Sequence, residues 1–124
     1  MSRRILVIDD EEAIRIILKA VLEITAGWTV LVSASGIEGV TMAQAEQPDA
    51  ILLDVIMPEL DGIAVFHKLK AQPLTKHIPV IFLTAQAREL ERRKLEALAS
   101  GVILKPFESE TIAHQIRTML NSSA

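Results

Sequence analysis

Five short apolar runs, spaced along the chain with segments of helical period or helix-start signals between them, constrain what this sequence can fold into more than any other feature. The runs are Arg4 to Asp9 (RILVID), Trp28 to Ala34 (WTVLVSA), Ala50 to Asp54 (AILLD), Val80 to Thr84 (VIFLT) and Gly101 to Lys105 (GVILK). Four of them lack the apolar/polar alternation of a half-exposed strand, as strands buried on both faces of a parallel sheet do. Trp28 to Ala34 alternates more and reads as an edge strand. Between the runs, Ile14, Ile17, Leu18 and Val21 repeat at i, i+3, i+4 and i+7, and Ile112, Ile116, Met119 and Leu120 nearly do so. Both stripes are expected to face a core. Ser35 with Glu38 forms a capping box for a second helix, Pro48 and Asp49 lead into the third strand, and Pro73 and Pro79 bracket the connection into the fourth. Strand then helix, five times over, implies an α/β fold with a parallel sheet, right-handed crossovers and helices on both faces. A barrel fragment is the lesser alternative, because five units are too few to close one.

Composition narrows the class. The 124 residues, 50% of them hydrophobic, suit one domain over 1–124 that buries roughly two thirds of its unfolded surface. The absence of cysteine excludes disulfides and thiolate metal sites and fits a reducing cytoplasm. No segment reaches the roughly 18 apolar residues of a membrane span, and the first residues lack a secretory apolar region. A cytoplasmic location without membrane contact is therefore expected. The net charge of -3 argues against nucleic acid as a direct partner, since phosphate neutralisation needs a clustered basic excess. Arg92 to Lys94 sit among Glu89, Glu91 and Glu96, the pattern of a solvated helix face.

The residues that end the runs carry the chemistry. The first run closes on Asp9 with Asp10 beside it, the third on Asp54, the fourth on Thr84 and the fifth on Lys105. In open parallel sheets the carboxyl ends of the strands form the edge where ligands bind. Three carboxylates, a hydroxyl and an ammonium are thus expected in one crevice. Two like unit charges about 4 Å apart repel on the scale of about 4 kcal/mol at an effective dielectric of 20, so the carboxylates call for a divalent cation. With oxygen donors and neither sulfur nor histidine at these strand ends, Mg²⁺ is the natural choice. Lys105 and Thr84 would then address the oxygens of a phosphoryl group, and Asp54, on the central strand, is the best nucleophile.

Taken singly, each piece has a plainer reading. An Asp pair before a helix caps it, Lys105-Pro106 is a strand exit, Thr84 is a β-former, and Asp61 with Gly62 is a turn and helix start. His67, His77 and His114 are expected to be surface or packing residues, and Met42, Met57 and Met119 packing residues. The agreement of four strand ends on one edge is what turn chemistry alone does not explain.

The segments ILVIDDEE, ILLDVIMPELDG, VIFLTA and GVILKPF, in this order and across the whole chain, resemble the receiver domain of two-component response regulators, the single-domain chemotaxis-regulator type included. The resemblance implies a flavodoxin-like doubly wound (βα)5 fold with strand order 2-1-3-4-5. It implies that Asp54 accepts a phosphoryl group from a sensor histidine kinase or histidine phosphotransfer protein. Asp10, Asp54 and the backbone carbonyl of Ile56 would hold Mg²⁺, with Asp9 acting mostly through metal-bound water. Thr84 and Lys105 would contact the phosphoryl oxygens, small Ala85 would leave the site open, and the peptide between Lys105 and Pro106 would be cis. The implied output is a downstream protein bound through the face of the fourth helix, fifth strand and fifth helix. A homodimer is compatible with it.

Three positions depart from the usual pattern. Val102 stands where the family carries Tyr or Phe, Leu98-Ala99 replaces Gly-Ala, and Ile56 is an apolar side chain two residues past the acceptor. Without a ring to rotate at Val102, the phosphorylation-dependent change is expected in the loop from Thr84 to Arg88 and the start of the fourth helix. The leading expectation is a switching module that catalyses only its own phosphorylation and dephosphorylation. A haloacid-dehalogenase-type phosphatase would need a second Asp where Ile56 stands, and a flavin carrier would need a hydroxyl-rich loop where this chain has acids. A receiver-like scaffold working without phosphate is the third alternative.

Overall fold

A computed structural model of the chain describes residues 3–58, 60–85 and 88–122. Strands and helices alternate as β1 (Arg4–Ile8), α1 (Glu12–Ala26), β2 (Thr29–Ser33), α2 (Gly36–Glu46), β3 (Ala50–Asp54), α3 (Gly62–Lys70), β4 (Val80–Thr84), α4 (Glu89–Leu98), β5 (Gly101–Leu104) and α5 (Ile112–Ser122). The five strands pair in parallel in the order β2-β1-β3-β4-β5. This is the doubly wound, flavodoxin-like arrangement, with β2 at an edge as its alternation predicts. Three strands are shorter than the runs that announced them: Asp9, Ala34 and Lys105 fall one residue past the ends of β1, β2 and β5. Among the described residues no helix is long and apolar enough to cross a membrane.

The near-continuous hydrophobicity of the strands has a direct cause, because both faces of the sheet are covered. Leu6, Ile8, Ile51, Leu53, Val80 and Phe82 point to one side, where Val40, Ala43, Val65, Phe66, Leu69 and Leu95 of α2, α3 and α4 cover them. Ile5, Val7, Ala50, Leu52, Ile81, Leu83 and Ile103 point to the other, beneath Leu18 and Leu22 of α1 and Ile112 and Ile116 of α5. The period-2 alternation of each strand thus sorts its residues between two cores.

One helical stripe is corrected. Leu18 and Leu22 face the core from α1, and Ile14 and Val21 flank them, but Ile17 is 42% exposed. The sheet covers a narrower arc of α1 than the apolar pattern offers, leaving Ile16 and Ile24 at the surface with Ile17. On α5, Ile112 and Ile116 are buried and Met119 and Leu120 pack at the margin.

The helix ends follow local chemistry. Ser35 Oγ accepts from the Glu38 N–H at 3.2 Å, the hydroxyl half of the expected capping box, and Asp61 caps α3 by accepting from the Ala64 N–H at 2.9 Å. Gly27 ends α1 at φ 70°, the left-handed geometry that glycine adopts without penalty. Ala99, after α4, is extended (φ -110°, ψ 176°), so this helix end needs no glycine and accommodates Leu98. The Lys105-Pro106 peptide is cis. Arg92, Arg93 and Lys94 pair with Glu96, Glu89 and Glu91 along α4, the solvated face their spacing indicated. His67, His77 and His114 are exposed, Met57 is buried, and Met42 and Met119 pack against the cores. Gln86 and Ala87, in the loop expected to carry a switch, lie outside the described residues, as does Glu59.

Candidate functional site

Pleating and register bring the charged residues together. Asp9 carries the parity of Ile5 and Val7, Asp54 that of Ala50 and Leu52, and Lys105 that of Ile103, all on the α1/α5 side. Because β1 pairs with β3 and β3 with β4 in parallel, their carboxyl ends finish at one edge of the sheet. Thr84 carries the opposite parity, that of Val80 and Phe82. It is fully buried at the end of β4, and its carbonyl accepts from the Lys105 N–H at 2.8 Å.

Lys105 is the hub. Its ammonium lies 2.9 Å from Asp9 Oδ2, 3.2 Å from Glu11 Oε1 and 3.4 Å from Asp54 Oδ1. Asp9 is fully buried and Asp54 4% exposed, so water screens neither charge well, and each needs its partner. Burial works against the ammonium, but the close contact and charge of Asp9, the charge of Asp54 and the Glu11 contact outweigh it and hold Lys105 above its usual range. For Asp54, burial and then the charge of Asp9 push the carboxyl up to about 7, against the counter-pull of Lys105 and the Ile56 N–H. That N–H donates to Asp54 Oδ1 at 3.3 Å. The Glu11 N–H donates to Asp9 Oδ1 at 2.9 Å, and Arg15 Nη1 to the Asp9 carbonyl at 2.8 Å, so the β1–α1 turn is fixed around Asp9.

These residues open onto a cleft of about 370 Å³ lined by Asp10, Glu11, Asp54, Ile56, Ala85 and Lys105. Asp10 is exposed at its wall and within hydrogen-bonding reach of Asp54. Ile56 is 66% exposed at its mouth, and Ala85 leaves the entrance unobstructed. All the expected site residues except Thr84 therefore line the cleft or, like Asp9, back onto it. The sequence reading missed Glu11, which with Asp9 and Asp54 offers carboxylate oxygens within 4.8 Å of one another. Its place after the Asp pair was the available signal.

The donor set fits a hard divalent cation: carboxylates and a carbonyl, with no sulfur or imidazole. A buried carboxylate oxygen, Asp9 Oδ2, faces Lys105 off line and accepts no aligned hydrogen bond. An oxygen in that state is suited to a further positive partner.

Residues 5–117 match the family model described as the response regulator receiver domain. The chain is similar to the alkaline phosphatase synthesis transcriptional regulatory protein PhoP of Bacillus subtilis, 37% identical over 124 residues, 99% of this chain and 50% of that protein. It thus spans half the length of that relative. Its fold is similar to the chemotaxis protein CheY4 of Vibrio cholerae, with a TM-score of 0.87, 28% identity, and 96% of this chain and 99% of that one covered. It is also similar to the receiver domain of the sensor histidine kinase PA1611 of Pseudomonas aeruginosa, with a TM-score of 0.85, 27% identity and coverage of 98% and 99%. That structure carries a magnesium ion coordinated in its active-site cleft.

Proposed function

This chain belongs to the response regulator receiver family of two-component systems, and we propose that its Asp54 is the phosphoacceptor, taking a phosphoryl group from a histidine of a sensor kinase or phosphotransfer protein. The observation that carries the reading is the end of the central strand. There a nearly buried carboxylate faces a cleft with a fixed ammonium 3.4 Å away. In the transfer an Asp54 oxygen attacks phosphorus in line, the phosphorus–nitrogen bond breaks, and the imidazole leaves with the electron pair. In hydrolysis a water oxygen attacks the same phosphorus, the bond to the Asp54 oxygen breaks, and inorganic phosphate departs.

Asp9, Asp10, Asp54 and the Ile56 carbonyl would hold Mg²⁺. When bound, the ion neutralises charge on the phosphoryl oxygens and favours the ionised form of Asp54. Lys105 pairs with a phosphoryl oxygen, and Thr84, buried outside the cleft at rest, would have to turn its hydroxyl toward the phosphoryl group to donate to another, both contacts strengthened by the low polarity around them. Ile56, apolar at the cleft mouth, shields the acyl phosphate from water. The domain over 1–124 acts as a switch in the cytoplasm, catalysing only its own phosphorylation and dephosphorylation, and signals through a protein partner on the α4/β5/α5 face. A haloacid-dehalogenase-type phosphatase is disfavoured, since Ile56 takes the place of its second carboxylate.

Acetyl phosphate with Mg²⁺ provides the test. Intact-mass spectra should show one added phosphoryl group on the native protein and none on Asp54→Asn. Label that persists on the variant, on Asp9 or Asp10, overturns the assignment. Repeated turnover of phosphate monoesters would favour the phosphatase, and an inert native protein the scaffold.

A further inference from the structure

Glu11 occupies the N-cap position of α1, where a short polar side chain would ordinarily accept from the first turn. It makes no such cap bond. Its carboxylate reaches instead to Lys105, 94 positions away in the chain, which donates to Oε1 at 3.2 Å. Among the three carboxylates around that ammonium, the acceptor Asp54 is the most distant, at 3.4 Å against 2.9 Å for Asp9 and 3.2 Å for Glu11. The two nearer ones differ in freedom, because the side chain of Asp9 is fully buried whereas that of Glu11 is 59% exposed. If Lys105 is to turn toward a group on Asp54, Glu11 is the partner it can release.

We propose that Glu11 is a positioning residue that shares the Lys105 ammonium with Asp9 and Asp54 at rest, leaving Asp54 the longest of its three contacts, and so sets how readily the cleft admits an anionic phosphoryl donor. The inference rests on Asp54 being the phosphoacceptor. Glu11 acts in two opposite directions on charge. It adds a negative group to the oxygens that face a cation, and it occupies the positive group that a phosphoryl oxygen needs. A residue that merely supported the fold would affect both in the same sense.

The experiment compares the native protein with Glu11→Gln in three measurements: the ¹⁵N-ammonium NMR signal of Lys105 without metal, Mg²⁺ titration by thermal shift, and acetyl phosphate titration of labelling at saturating Mg²⁺. Glu11→Gln should shift or broaden the Lys105 signal. It should raise the half-saturating Mg²⁺ concentration and lower that of acetyl phosphate, each by roughly threefold, the scale of one partly exposed charge pair. Glu11→Asp keeps the charge, suits the N-cap of α1 and, one methylene shorter, should lengthen the 3.2 Å contact with Lys105 beyond hydrogen-bonding distance. It should free the ammonium like Gln while retaining Mg²⁺ affinity, and it serves where the Gln variant folds poorly. An unchanged Lys105 signal, or both half-saturations moving in the same direction, overturns the inference. If the native protein takes no label, the assignment of Asp54 fails, while the metal-free NMR comparison still decides whether Glu11 holds Lys105.

Discussion

Gly62 opens α3 directly against the end of β3: its N–H donates to the Val55 carbonyl at 2.8 Å, and a Cβ on it would stand 2.7 Å from Val55 Cα and closer still to the carbonyl oxygen of Asp54. The start of α3 and the end of β3 are therefore in backbone contact, and only a residue without a side chain permits it.

Gly62→Ala decides between two effects of opposite sign. Alanine favours a helix over glycine by about 1 kcal/mol, but here its methyl meets backbone, which moves less readily than a side chain. Steric cost should win, with destabilisation of about 2 kcal/mol or more, the scale of overpacking. Urea unfolding followed by Trp28, the single tryptophan and 7% exposed, measures it. A variant as stable as the native protein would refute the close approach.

Mg²⁺ should stabilise the fold, because the folded carboxylate cluster would bind it where the unfolded chain offers no such site. At a hundredfold excess over its dissociation constant the gain is about 2.7 kcal/mol. Asp10→Asn should weaken the response, since Asp10 lies at the cleft wall beside Asp54. A native melting temperature indifferent to Mg²⁺ removes the metal site, and an equal response in the variant removes Asp10 from it.

Without metal, acidification should stabilise the protein over one window. Asp54 is raised in the fold to about 7 from an ordinary value of 3.8, so the native state binds its proton more tightly than the unfolded chain does. Stability then increases as pH falls through about 7 and levels off near 4. Glu23, lowered by the Lys19 hydrogen bond from 4.5, works in the opposite sense, but only from about 4.5 downward, at the acid end of that window. Melting curves in chelator from pH 7.5 to 5 should show the rise, and Asp54→Asn should flatten it. A native protein whose stability falls over this range would contradict the raised carboxyl of Asp54.

Val102 bears on the readout. It is half-buried beside Phe82 in the β4–β5 register and packs toward the α2/α3/α4 side, where Thr84 also points by parity. A valine has one χ angle and no ring to swing. Beryllofluoride, as a phosphoryl mimic, should therefore shift backbone and methyl NMR signals from Thr84 to Arg88 and at the start of α4 more than at Val102. Large changes centred on Val102 with a silent Thr84 loop would reverse this.

The sequence determined the fold class, the strand positions to within a residue and the identity of the polar strand ends, because burial on both faces leaves continuous apolar runs and because Asp9, Asp54, Thr84 and Lys105 sit at fixed offsets from them. It could not determine which of those groups meet. That depends on strand order and on pleat parity, which together put Asp9, Asp54 and Lys105 on one side of the sheet edge and Thr84 on the other. Tertiary structure alone showed that the apolar arc of α1 exceeds what the sheet covers, exposing Ile17. It also showed Glu11, by position a helix cap, reaching the ammonium of Lys105 at the far end of the chain. Local pattern records what a residue prefers, whereas a charge contact between β1–α1 and the end of β5 exists only once the intervening strands have been placed between them.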